Sequence, residues 1–173
     1  MKHCTTAVLI GCLFFMSVVP VSAPAEPAAC LVFHDLETDT TILEMPVLYG
    51  RPFAIRYIHS VDISPVYEVF EADPERGIVL TDTYFRMFGA GMGHWEGHGT
   101  LMQDGRWTRI TGIDDPVGRF VLRVGQPGVD HTLLIGYREF NLSETAAGHR
   151  VSVFVKKRQA NGSPLDRNDL NRK

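Results

Sequence analysis

Cysteine is scarce: the 173 residues hold three, and two of them, Cys4 and Cys12, lie in or beside an apolar N-terminal run. Loss of that run leaves Cys30 alone, so no intrachain disulfide can staple the mature domain, and Cys30 reads as a small buried residue of the first strand. Long apolar runs are missing too. Ala7 to Val19 extends for about a dozen residues, short of the roughly 18 to 20 that a membrane-spanning helix needs. Positive charge is not in excess. The net charge of -3 argues against a nucleic-acid binder, which needs clustered Lys and Arg to neutralise phosphates. No window shows a helical i, i+3, i+4, i+7 stripe over three turns, and no G-x-S-x-G elbow occurs, which removes helix bundles and the usual serine hydrolase.

What is present begins with an address. Lys2 and His3 precede the apolar run, and Pro20 to Ala25 is small and Pro-rich, the three-part layout of a secretory signal. Cleavage after Ala25 fits the A-x-A rule, so residues 1–25 are expected to be a signal peptide and the mature chain to start near Glu26. An exported, periplasmic protein follows, with no transmembrane segment after cleavage. Two lipoprotein-like boxes, ending at Cys12 and Cys30, sit too early and too late relative to the apolar run to favour a lipid-anchored form. Residues 26–155 are then one domain, and the share of apolar residues in the whole chain, 45%, is that of an ordinary globular protein. Residues 156–173 carry basic residues with Gly162, Pro164 and no aromatics, and are expected to be a disordered basic tail.

Period-2 alternation recurs along the mature chain, interrupted by Gly, Pro, Asn and Asp. Cys30 to Leu36, Gly77 to Phe88, Arg119 to Val124 and Arg150 to Val155 are representative runs. About nine short strands predict an all-β fold, an antiparallel β-sandwich or small barrel. In the Gly77 run, Val79, Thr81, Thr83, Phe85 and Met87 are the expected inward set, with Ile78, Leu80 and Tyr84 making the opposite face partly apolar. Asp104-Gly105 between two strand-like runs is a hairpin signal.

The central element is the stretch Phe53 to Phe70. A turn over Asp62 to Pro65 pairs Val61 with Val66 and sets His59 opposite Glu68, with Phe53, Ile55, Tyr57, Val66 and Phe70 on one buried face. His59 and Glu68 are thus candidate binding residues, either a ligand-reading or acid/base couple or a structural pair that locks the register. Ser60 points to the opposite face from His59 and cannot be activated by it. Residues 89 to 99, G-A-G-M-G-H-W-E-G-H-G, break every periodicity and read as a shaped loop. Backbone N–H groups around Gly89 and Gly91 can form a small anion nest. With Arg86 upstream and Trp95 and Trp107 as aromatic walls, they suggest a carboxylate-binding mouth. His94, Glu96 and His98 are weak metal candidates, with Asp104 or His131 as a third ligand. The spacing is wrong for a helical H-E-x-x-H, and no metal or other cofactor is expected.

Three segments together carry a resemblance: Y-I-H-S-V-x-x-S-P-V-x-E-V-F from Tyr57, G-I-V-L-x-x-T-x-F-x-x-F-G-A-G from Gly77 and V-L-R-V-G from Val121. The chain resembles a bacterial exported family known as domain of unknown function 1850, over about Cys30 to Val155. After the G-A-G, where that family usually has Leu-Pro, this chain has Met92-Gly93-His94-Trp95. The family is often encoded beside TAXI-class TRAP transporters, so the resemblance implies an accessory role in uptake of organic solutes. It implies partners among transporter components or small organic anions, and no catalytic residue. Two other readings stand beside it: a metal-assisted envelope hydrolase using His94, Glu96 and His98, and a structural envelope protein without a small ligand.

Overall fold

The computed structural model describes residues 29–86 and 98–158. The expected signal segment, most of the glycine-rich loop and most of the expected tail lie outside them. The described chain runs β1 (Ala29–Asp35), β2 (Thr40–Val47), β3 (Pro52–Ile58), β4 (Pro65–Asp73), β5 (Gly77–Phe85), β6 (Thr100–Asp104), β7 (Trp107–Asp115), β8 (Phe120–Arg123), β9 (Thr132–Ile135), β10 (Arg138–Asn141), a four-residue α1 (Ser143–Ala146) and β11 (Arg150–Lys157). Eleven strands stand where about nine were expected. They form two antiparallel sheets, ordered β2-β1-β11-β8 and β10-β9-β3-β4-β5-β7-β6, and neither closes on itself. The fold is a β-sandwich, which resolves the alternative between sandwich and barrel. No helix among the described residues is long and apolar enough to cross a membrane.

Alternating side chains of both sheets meet in the core. Leu31, Phe33, Val151 and Val153 of the small sheet face Phe53, Ile55, Phe70, Ile78 and Leu133 of the large one, all essentially inaccessible. Burying each such side chain contributes about 1.5–3 kcal/mol. Phe70 stacks on Phe53 at 5.6 Å within its own sheet and on Phe120 of the other sheet at 5.5 Å, so one ring ties the two layers together. Strand β11 runs through Lys157, two residues beyond the expected domain end. Lys156 and Lys157 pair with Cys30 and Ala29, and the Lys156 ammonium meets Glu44 at 2.7 Å, so ladder bonds and an ion pair hold residues that look tail-like in composition. Cys30 lies in β1, as expected, and is half-buried; burial pushes its thiol pKa up.

Two local irregularities decide which side chains face where. Between Val69↔Asp82 and Phe70↔Leu80 the ladder skips Thr81, a β-bulge in β5. Ile78 and Leu80 therefore point inward before the bulge and Thr83 and Phe85 after it. The expected inward set is corrected on this point: Val79 and Thr81 are not on the Phe85 face, and Met87 lies outside the described residues. Ile78 and Val79 are adjacent and both buried, so the start of this strand is covered on both faces as anticipated. The second irregularity is the β3–β4 connection, whose register sets the site described next.

Candidate functional site

Strand β3 ends at Ile58 and β4 begins at Pro65, with Ile55 opposite Glu68 and Tyr57 opposite Val66. The expected pairing of His59 with Glu68 is wrong by four residues. The physical cause lies in residues 59–64. The His59 N–H donates to the Ser64 carbonyl at 2.8 Å, the Asp62 carboxylate meets His59 Nδ1 at 3.0 Å, and Ser64 Oγ donates to the other Asp62 oxygen. An Asp side chain that satisfies its own loop closes the turn directly after His59, so His59 faces Ser64 at the end of the ladder and not Glu68. A shift of four is even, so the inward set Phe53, Ile55, Tyr57, Val66 and Phe70 survives intact.

This loop is locked, and it is not a hydrolase centre. Ser64 is buried and gives its proton to Asp62, with Asp62 standing between Ser64 and His59 where a triad would need the imidazole. The Ser64 hydroxyl, and after it the His59 ring, hold the Asp62 carboxyl below the usual carboxylate range.

Glu68 has other neighbours than the one expected. It lies on the inner face of the large sheet beside Tyr57, where burial raises its pKa, and burial together with the Glu68 charge pushes Tyr57 to about 12. Tyr57 stacks on His131 with ring centroids 5.2 Å apart. The Gly125 N–H donates to His131 Nδ1 at 2.9 Å, which places the imidazole proton on Nε2. Burial lowers the His131 pKa, so the neutral form is favoured. Tyr57, Glu68 and His131 make a lip of polar groups in which every charged form is disfavoured.

The opposite face of the same sheet carries a different chemistry. The register lines up Arg56, Tyr67, Tyr84, Arg109 and Met102 as one outward row across β3, β4, β5, β7 and β6. Trp107, opposite Asp104, follows Arg109 on this face two residues earlier in β7. Tyr67, Val69, Tyr84, Asp104, Trp107 and Arg109 line a hollow of about 440 Å³. The Arg109 guanidinium lies 4.6 Å from the Tyr84 ring centroid, and that of Arg86 lies 4.9 Å from Trp107. The Tyr67 and Trp107 rings stand 6.0 Å apart, tilted by 57°. Among the described residues neither arginine has a carboxylate partner, unlike Arg56, which pairs with Glu139, or Arg76, which pairs with Asp73 and Asp114. A guanidinium stacked on a ring keeps its N–H edge free for a carboxylate.

Of the residues singled out from sequence, Arg86 and Trp107 are brought together here, at the end of the sheet that also bears the β3–β4 loop. Continuing the Tyr67↔Tyr84 register places Arg86 level with Pro65. His59 and Glu68 lie on the loop and on the inner face, apart from the hollow. Gly89, Gly91, His94, Trp95 and Glu96 lie outside the described residues. His98 is exposed just before β6. His131 cannot be its third ligand: it precedes β9, five strand positions from β6, roughly 24 Å at the usual interstrand spacing. Among the described residues no group of three or more His, Cys, Asp or Glu is arranged to hold a metal ion.

Tyr67, Tyr84 and Arg109 escaped sequence reading because outward positions of a strand are ordinarily just solvated. The available signal was that three neighbouring strands place aromatic or arginine side chains at those outward positions, where small polar ones suffice. A family model described as "Domain of unknown function (DUF1850)" matches residues 53–142. No curated protein and no solved structure matches the chain.

Proposed function

Because the chain belongs to the DUF1850 family, whose description assigns no activity, we propose a function from the site itself: an exported, periplasmic binding protein that takes a small organic anion on the outer face of its large sheet. In this reading it assists a tripartite organic-solute transporter. The observation that carries it is a pair of arginines with no carboxylate partner among the described residues: Arg109, which lines the hollow over Tyr84, and Arg86, which lies over the hollow's Trp107 wall. A small anion fits this face better than a polyanion does. Glu71, Asp82 and Asp104 share it, and the net charge is -3, so a phosphate backbone laid across the sheet meets repulsion.

The test is calorimetric titration of the mature protein with small carboxylates. Saturable binding is expected, weakened about tenfold by Arg86→Ala or by Arg109→Ala, since a charge-assisted contact is worth roughly 1.5 kcal/mol or more. Binding left unchanged in the double variant would overturn the assignment. Crosslinking from the β6–β7 hairpin in intact cells tests the transporter role, for which an adduct with a transporter component is expected.

A further inference from the structure

Arginine offers a ligand two distinct surfaces, a flat face that stacks on π systems and an N–H edge that matches a carboxylate. Arg109 lines the hollow with its guanidinium over the Tyr84 ring, Arg86 lies over Trp107, one of the hollow's walls, and Tyr67 stands tilted across from Trp107. A volume of about 440 Å³ sits near the low end of small-molecule sites, which suits a ligand of one or two rings. The lining also contains one acid. Asp104 projects from β6 beside Trp107, and its carboxylate has no partner among the described residues. It repels a second carboxylate on the ligand and accepts a hydrogen bond from a hydroxyl or amine.

From this arrangement, and resting on the anion-binding reading above, we infer that the hollow takes a flat aromatic monocarboxylate bearing a hydrogen-bond donor at its far end. A carboxylate coplanar with its ring uses both arginine surfaces at once: the ring stacks along the guanidinium and aromatic faces while its carboxylate reaches the N–H edge. A saturated ring is thicker, puts no π face against the guanidinium, and uses only the edge. A dicarboxylate places its second charge against Asp104.

The inference is tested by calorimetry with four probes, benzoate, 4-hydroxybenzoate, cyclohexanecarboxylate and terephthalate, against wild type and Asp104→Asn. Benzoate is expected to bind about fivefold tighter than cyclohexanecarboxylate, the scale of one aromatic stacking contact. The hydroxyl of 4-hydroxybenzoate should add to this in wild type and lose its advantage in Asp104→Asn. Terephthalate should be about tenfold weaker than benzoate, and Asp104→Asn should close most of that gap by removing the like charge. Asp104 is exposed on an edge strand, so the variant is expected to fold, with near-UV circular dichroism as the check. Equal binding of benzoate and cyclohexanecarboxylate overturns the aromatic assignment while leaving the anion site standing. A terephthalate affinity that matches benzoate, or that Asp104→Asn leaves unmoved, overturns the role of Asp104. No binding of any of the four removes both this inference and the anion site it rests on.

Discussion

Replacing Gly125 by alanine tests whether the turn that carries His131 is packed as described. A Cβ built at Gly125 falls 2.5 Å from Val129 Cγ1, 2.6 Å from Val129 Cβ and 3.1 Å from His131 Nδ1. Contacts under 3 Å demand movement, and the neighbour is poorly placed to give way. Val129 is β-branched, with a stiff χ1. Its backbone is held on both sides, since the Val129 N–H donates to Gln126 O at 3.0 Å and its carbonyl accepts from the Ile58 N–H at 2.7 Å. Overpacking of this kind costs about 2 kcal/mol, which lowers the melting temperature by roughly 6 °C in a domain of this size. The clash is with a side chain, so it is separable. Val129→Gly alone, at a half-buried position, costs about 1–2 kcal/mol in lost packing and added chain entropy. The double variant Gly125→Ala/Val129→Gly, which removes both Val129 atoms that the new Cβ meets, should recover about 1 kcal/mol or more relative to the sum of the singles, read from urea unfolding of all four proteins. A second readout comes from the hydrogen bond donated by the Gly125 N–H to His131 Nδ1. In Gly125→Ala the ¹⁵N shift of Nδ1 should move, and in the double variant it should return. Additive costs, or a Gly125→Ala protein as stable as wild type, would show that the turn is not packed this way.

Four further outcomes follow from the same geometry. Phe85→Ala should cost about 3–4 kcal/mol and Tyr84→Ala less than about 1 kcal/mol, because Phe85 is buried in the core and Tyr84 points outward; equal losses in chemical denaturation would overturn that orientation. Ile63 holds φ at 50° while 73% exposed, so Ile63→Gly should relieve about 1 kcal/mol of left-handed strain, partly offset by chain entropy, for a net gain of about 0.5 kcal/mol; a clear drop in melting temperature contradicts this. The buried Asp35 carboxyl, held to about 2 mainly by its 2.8 Å hydrogen bond with His149 and also by the Glu37 N–H, is depressed below its ordinary 3.8. Its contribution is complete above 3.8 and disappears as pH falls toward about 2, so the acid limb of the melting curve should be shallower in Asp35→Asn. Glu68 has the opposite sign: burial raises its pKa, so ionisation destabilises the native state as pH rises past 4.5, and Glu68→Gln should be more stable than wild type at about pH 8 with the difference shrinking toward about pH 4.

The amino-acid sequence by itself determined the all-β class and the inward face of the central hairpin. Alternation in Phe53, Ile55, Tyr57, Val66 and Phe70 marks the inward set whatever the register, provided the slip is even, because side chains repeat every two residues along a strand. Arg86 as the cation and Trp107 as an aromatic wall of one candidate mouth were legible from their residue types alone. The register itself was settled in three dimensions, where the Asp62 carboxylate binds His59 and Ser64 and closes the turn directly after His59, and where Thr81 drops out of the ladder. Only the tertiary structure decided the site. Tyr67, Tyr84, Arg109 and Asp104 come from four strands, and ladder pairing across β4, β5, β7 and β6 sets them side by side. Local periodicity tells which face a residue takes; which residues become neighbours on that face depends on strand order, a property of the whole sheet.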